Sequence, residues 1–259
     1  MKQIIEGTAV FLDIRNFTDN LKKLFNDDLY FELIESVYRK GIELGLEFAS
    51  KDRFYINTTG DGFLAIFLEE NSCIDAYFYS LLLHNELNKI FSEYFKGELQ
   101  KGDYYFGIGL ESGLIKNVKA EYGDKEINTF IGNVINVAAR LESLTKDHAR
   151  APIIFGPNIN EKLINMLFKE SYSNLMEQAK RADSTERAHL LHEKMTELNS
   201  RLLSSYLFEH RLKGVDTATP VFRISPTLLN YSKNHFKDLI SILPTEQRDK
   251  ILGIIEKYK

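Results

Sequence analysis

The sequence contains no tryptophan, one cysteine and only five prolines in 259 residues. With Cys73 alone, no internal disulfide can form, so nothing in the fold depends on an oxidising compartment. There is no uninterrupted apolar run long enough to span a bilayer. Glu6 and Asp13 also break the apolar core that a signal peptide at this N-terminus would need. Thirty-three Lys and Arg stand against 37 Asp and Glu, a formal charge of −4, so the chain lacks the basic excess of a protein that wraps DNA. A local basic pocket is still compatible with that charge. The two Asn-x-Thr sequons, at Asn16 and Asn57, read as chance matches. A soluble cytoplasmic protein is expected, with 44% hydrophobic residues and enough chain for one large domain or one and a half.

Patterning divides the chain into short strands and longer helices. Thr8 to Asp13 is a short apolar run ending in an acid, which predicts a buried strand. Ile14 to Asn20 reads as a turn opening a helix, with Asn16 or Thr18 as cap. From about 27 to 50, Leu29, Phe31, Leu33, Ile34, Val37, Tyr38, Ile42 and Leu46 recur at helical steps. Arg53 to Thr59 alternates as a strand, Gly60-Asp61-Gly62 is turn chemistry, and Phe63 to Phe67 returns, giving a β-hairpin tipped by an aspartate. A helix is expected at Cys73–Tyr94, strands at Tyr104–Leu110 and Leu114–Lys119 around a turn at Ser112-Gly113, a helix over Ile131–Leu144 and a strand at Ile153–Phe155. Between 158 and 205, Leu191, Met195, Leu198 and Leu202 step by four, three and four amid many charges. That predicts a long amphipathic helix or helical hairpin, packed on a partner or on its own domain. Strands at Tyr206–Leu212 and Thr219–Ile224 follow, then two short helices after Pro226 and Pro244. The class is α+β, with helices on a mainly antiparallel sheet.

Two acids occupy special places, Asp13 at a strand end and Asp61 at a hairpin tip. Either alone would read as a cap. If the hairpin pairs beside the first strand, their carboxylates converge and suit hard cations such as Mg²⁺ or Mn²⁺, which prefer oxygen ligands and share phosphate oxygens. The amides of Ile14 to Thr18, Asn16 and Phe17 among them, would face a phosphate at the same place. Asn136 and Arg140 lie four apart, on one helical face. An amide beside a guanidinium can bind a ribose oxygen and a phosphate, although a solvated polar face has the same spacing.

Three blocks carry a family resemblance: Val10-Phe11-Leu12-Asp13-Ile14-Arg15-Asn16-Phe17-Thr18, Thr59-Gly60-Asp61-Gly62, and Ile131-Gly132-Asn133-Val134-Ile135-Asn136-Val137-Ala138-Ala139-Arg140-Leu141. In order and spacing they resemble the catalytic domain of class III nucleotidyl cyclases. Phe106 to Gly113 looks like that family's central strand, and Leu212-Lys213-Gly214 like its late lysine motif. The likeness covers residues 7 to about 157, thins through the helical segment and returns at 206–225. It implies a ferredoxin-like βαββαβ cyclase domain over 1–225 with a helical insertion at about 158–205, and a C-terminal helical extension over 226–259. It also implies a head-to-tail homodimer. One chain would supply Asp13, Asp61 and the Ile14 carbonyl to two divalent cations, Mn²⁺ or Mg²⁺. The other would supply Asn136 to the ribose and Arg140 to the α-phosphate, with Lys213 on the β- and γ-phosphates. A nucleoside triphosphate would be closed to a 3′,5′-cyclic nucleotide with release of pyrophosphate.

Base choice is read from two positions that in this family hold Lys with Asp or Thr for adenine, and Glu with Cys for guanine. Here they hold Asn57 and Thr129. An amide can complement uracil, and also adenine. Tyr55 shares a strand face with Asn57 and would shorten the pocket, or else it packs at the dimer seam. The departure from both purine patterns resembles the pyrimidine cyclases of Pycsar antiphage systems, implying UTP ahead of CTP and a separate effector that responds to the product. The alternatives are an adenylate cyclase, a diguanylate-cyclase relative and a catalytically dead nucleotide-binding homologue. The diguanylate reading is disfavoured because Thr59-Gly60-Asp61-Gly62 lacks the Gly-Gly-Asp/Glu-Glu-Phe turn.

Overall fold

The computed structural model describes residues 4–17, 28–69, 71–95, 105–122, 125–148, 151–202, 204–212, 218–224 and 233–258. They form two compact units, Met1–Gly156 and Pro157–Lys259. The first contains β1 (Ile4–Ile14), α1 (Asp28–Phe48), β2 (Phe54–Thr58), β3 (Gly62–Leu68), α2 (Ser72–Tyr94), β4 (Phe106–Tyr122), β5 (Lys125–Ile131), α3 (Asn133–Leu144) and β6 (Ile153–Phe155). Its leading order, β1-α1-β2-β3-α2-β4, is the expected βαββαβ, and the sheet runs β2-β3-β1-β4-β6 with β5 on β4. Of these pairings among the described residues, β6 with β4 is parallel and the rest are antiparallel.

β1 is central, and a central strand covered on both faces must be apolar on both. That is why Ala9, Val10 and Leu12 form a run rather than an alternation. On one face lie α1 and α2. Gly41 and Gly45 let α1 sit close: a Cβ at Gly45 would fall 2.0 Å from Phe54 Cζ, and one at Gly41 would fall 2.7 Å from Phe63 Cζ. The inward side of α1 is Tyr30, Leu33, Ile34, Val37, Gly41, Leu44, Gly45 and Phe48. The apolar repeat therefore marked the helix but not its face. Leu29, Phe31, Ile42 and Leu46 are exposed, because the contact side is defined partly by residues without a side chain. Every residue of α2 from Ser72 to His84 is buried. Its first turn is tied to the sheet by hydroxyls, Thr8 Oγ1 lying 2.6 Å from Ser112 Oγ and 3.1 Å from Ser72 Oγ.

The opposite face carries α3, over a cluster of Ala9, Ile66, Leu68, Ile115, Phe130, Val134 and Ala138. Gly109 sets how close the helix comes, since a Cβ there would meet the Ala138 carbonyl oxygen at 2.1 Å and Glu142 N at 2.2 Å. The turn expected at Ser112-Gly113 is absent. β4 runs straight through, because Ser112 pairs with Thr8 and Gly113 with Gly7. The glycine serves close packing there, as a Cβ on the facing Gly7 would lie 2.8 Å from the Phe67 carbonyl. The reversal comes later, between β4 and β5, and Ile131 ends β5 rather than starting a helix.

The second unit contains α4 (Pro157–Leu167), α5 (Lys169–Arg181), α6 (Ser184–Arg201), the antiparallel pair β7 (Ser204–His210) and β8 (Thr219–Ile224), α7 (Lys233–Ser241) and α8 (Thr245–Lys257). The 158–205 segment is three helices. α5 and α6 form a hairpin, in which Asp183 caps α6 by accepting from the amides of Thr185 and Glu186 at 2.9 Å each. In the predicted seam, Leu198 and Leu202 are buried within the single chain. Leu191 and Met195 are half-buried.

Candidate active site

The first unit gathers charge at the C-terminal end of β1. Asp13 is the penultimate residue of the strand, facing Gly62 on β3 and Gly107 on β4. Asp61 sits in the β2–β3 turn, which is tied to β1 by the Ile14 amide donating to the Asp61 carbonyl at 2.8 Å. Gly62 allows this approach, since a Cβ there would lie 1.8 Å from the Leu12 carbonyl oxygen. Gly60, at φ 101°, takes a left-handed conformation suited to glycine, and its carbonyl accepts from the Tyr38 hydroxyl at 2.5 Å. Asp13 and Asp61 thus come together as the sequence suggested.

Asp13 is 8% exposed. Burial raises its pKa, Lys146 opposes the rise, and the neighbouring Asp61 adds to it. Lys146 Nζ donates to Asp13 Oδ2 at 2.6 Å. Beneath them, on the buried side of α3, Glu142 is pushed up to about 7, first by burial and next by the charge of Asp13. Its Oε1 is buried without a hydrogen-bond partner. Arg15 Nη2 donates to the Thr145 carbonyl at 2.6 Å.

Glu142 and Lys146 were not anticipated from the sequence. The signal existed: Val134, Val137, Ala138, Leu141 and Leu144 define the inward side of α3, and Glu142 falls within it. Lys146 lies one helical step further along the same side.

Ile14 is buried at the end of β1. The turn amides are only partly free for an anion, because Ile14 N is spent on Asp61 O and Arg15 N on Tyr105 O. That corrects the expectation of an open amide row and leaves Asn16 and Phe17. Asn16 is exposed at φ 56°, and Phe17 is half-buried with its ring 6.1 Å from that of Tyr30. Thr18 and Lys213 lie outside the described residues.

Asn136 is exposed and Arg140 half-buried on α3. The Arg140 Nη1 atom is buried and has no hydrogen-bond partner. Among the described residues, no hydrogen bond or ion pair joins Asn136 or Arg140 to either aspartate. Asn57 and Thr129 are exposed, while Tyr55 is half-buried with its ring 4.6 Å from that of Phe130. Phe130 pairs with Asn117 and Thr129 with Val118, so strand alternation sends Thr129 to the face away from Phe130.

Among the described residues, no group of three or more His, Cys, Asp or Glu side chains stands ready to hold a metal. The donors present are two carboxylates and a strand-end carbonyl. This set suits Mg²⁺ or Mn²⁺ if oxygens of a bound triphosphate complete the shell. A buried acid that already draws an ammonium to itself shows the demand for positive charge there.

This architecture, an α+β arrangement with a βαββαβ core and a mainly antiparallel sheet, is the fold of adenylyl and guanylyl cyclase domains. A bacterial light-regulated adenylyl cyclase matches at TM-score 0.60 and 18% identity, over 92% of this chain and 59% of its own. Adenylyl cyclase CyaB from P. aeruginosa matches at TM-score 0.58 and 14% identity, over 86% of this chain and 95% of its own. Guanylyl cyclase Cya2 matches at TM-score 0.59 and 14% identity, over 86% and 93%. The chain spans 59% of the length of the light-regulated enzyme. No protein-family model matches the sequence, and no curated protein does. Among the described residues, no helix is long and apolar enough to cross a membrane.

Proposed function

We propose that this chain is a metal-dependent nucleotidyl cyclase that closes a nucleoside triphosphate to a 3′,5′-cyclic nucleotide and pyrophosphate. The observation that carries this reading is the convergence of Asp13 and Asp61 beside the end of β1, in a cyclase fold. The cyclase domain is taken as 1–225, with a helical insertion at about 158–205 and a C-terminal extension over 226–259. The protein acts in the cytoplasm.

Asp13, Asp61 and the Ile14 carbonyl would hold two divalent cations, which supply charge neutralisation on the triphosphate and acidify the ribose 3′-OH. The chain's own groups do the positioning. Asn136 orients the ribose. Arg140, whose Nη1 lacks an acceptor, takes the charge that develops on the α-phosphate. Asn16, Phe17, Thr18 and Lys213 receive the phosphates. The 3′-oxygen forms a bond to the α-phosphorus as its proton leaves, the bond from that phosphorus to the β-phosphate bridge breaks, and pyrophosphate departs. Following the resemblance to class III cyclases, the reading assigns the two halves of each site to two protomers of a head-to-tail homodimer.

For the base, we propose pyrimidine selection through Asn57 and Tyr55 on one strand face, with Thr129 contributing from the face of β5 away from Phe130: UTP ahead of CTP, with the product read by a separate effector in antiphage signalling of the Pycsar type. A second reading, adenylate cyclase, is favoured by the two adenylyl cyclases among the structural matches. The test is incubation of the purified chain with Mn²⁺ and ATP, GTP, CTP and UTP, singly and in competition, with products identified by mass spectrometry. Cyclic UMP or cyclic CMP as preferred product upholds the pyrimidine reading. Cyclic AMP alone ends it and leaves the cyclase standing. No cyclic product from any of the four refutes the cyclase assignment for the chain by itself and favours a catalytically dead nucleotide-binding module.

A further inference from the structure

Lys146 follows α3 by two residues, and its ammonium reaches across 133 residues of sequence to Asp13 Oδ2 at 2.6 Å. The Asp13 side chain is 12% exposed and that of Lys146 is 48% exposed, so the acid is fixed in the protein while the lysine stem can swing into water. Asp61 and Glu142 lie within electrostatic reach of the same ammonium. Three carboxylates on separate elements thus lie near one half-exposed cation, which is hydrogen-bonded to one of the two oxygens that Asp13 could offer a divalent ion.

A carboxylate oxygen cannot accept an ammonium at this distance and coordinate a Mg²⁺-sized ion in the same direction, because the two cations would repel at contact range. We infer that Lys146 is an internal counter-ion that holds the Asp13–Asp61 pair and is expelled by an incoming divalent cation, so that it sets the metal concentration at which the site fills. This rests on the metal-binding role given to Asp13 and Asp61 above. By competition, the apparent metal affinity is reduced by the fraction of molecules in which the lysine has left the acid. For a half-exposed lysine, that reduction is roughly two- to fivefold. Lys146 is then a positioning residue: its role is to hold the acids together and yield to the metal.

The test is Mn²⁺ binding to the full chain without nucleotide, followed by the electron paramagnetic resonance of free Mn²⁺. Lys146→Met should bind Mn²⁺ roughly two- to fivefold more tightly than the unaltered chain. It should also show a larger rise in melting temperature at a fixed Mn²⁺ concentration. Lys146→Arg, which keeps the charge, should stay near the unaltered affinity. Lys146→Gln serves in place of the methionine variant if that variant fails to fold. Equal, weaker or undetectable Mn²⁺ binding in the neutral variant overturns the inference. Asp61→Asn, alone and in the Lys146→Met background, separates the two levels. Mn²⁺ binding that survives loss of Asp61 refutes the metal site itself. Binding that needs Asp61 but ignores Lys146 removes only the counter-ion role.

Discussion

Two buried groups in the first unit should pull the acid stability of the protein in opposite directions, and single substitutions should separate them. His84 on α2 is 1% exposed, edge-on to Phe106 with ring centroids 5.4 Å apart. Burial lowers its pKa from 6.5 to about 3. As pH falls below 6.5, the unfolded chain takes up a proton that the folded chain refuses, so stability is lost, by about 2 kcal/mol at pH 5. Glu142 behaves in the reverse way. Burial and the charge of Asp13 raise its pKa from 4.5 to about 7. Between those values the folded chain holds a proton that the unfolded chain lacks, so stability is gained as pH falls, again by about 2 kcal/mol at pH 5. The raised Asp13 adds to this gain at lower pH.

Urea denaturation in EDTA at pH 8, 6.5 and 5 measures the balance, read by circular dichroism because the chain has no tryptophan. Relative to the unaltered protein, His84→Leu should gain about 2 kcal/mol between pH 8 and pH 5, and Glu142→Gln should lose about 2 kcal/mol. The comparison is between slopes, so any stability change common to all pH values drops out. A His84→Leu curve parallel to the unaltered one would show that the histidine accepts its proton in place, and the burial argument would fail. A parallel Glu142→Gln curve would do the same for the acid.

Three further outcomes are expected. Gly109→Ala should destabilise the first unit by about 1–3 kcal/mol in the same urea assay and depress cyclase turnover, because a Cβ 2.1 Å from the Ala138 carbonyl must push away the helix that carries Asn136 and Arg140. Asp61→Ala should abolish turnover by at least a hundredfold with an unchanged dichroism spectrum, since Gly60, Gly62 and the main-chain bond from Ile14 hold the turn; retained activity would dismiss the metal assignment. Mixed Asp13→Ala and Arg140→Ala chains, each inactive alone, should regain part of the activity in a verified heterodimer, where one intact site can assemble. A heterodimer without activity would count against a site divided between protomers.

Much of the first unit was legible because its signals are local. The strand of Asp13, the turn around Asp61 and the helix of Asn136 and Arg140 each announce themselves within about a dozen residues, through apolar runs, glycine turns and helical spacing. The misplaced turn at Ser112-Gly113 shows where locality ends. Ser-Gly reads as a reversal until Thr8 and Gly7, more than a hundred positions away, supply the partners that keep β4 extended. The face of α1 was obscured for a similar reason. Its contact side is built on Gly41 and Gly45, which leave no trace in a pattern of large apolar residues.

The sequence by itself determined the order of strands and helices in the first unit, the mainly antiparallel α+β class and the places of Asp13 at a strand end and Asp61 at a turn, because each follows from periodicity or from residues that only certain turns tolerate. Tertiary structure alone decided the electrostatics of the site. Lys146 and Glu142 are ordinary charges in a helical segment until α3 crosses β4 at Gly109 and brings them onto Asp13. Charge–charge energies depend on through-space distance and on the exclusion of water, and neither is written in sequence spacing.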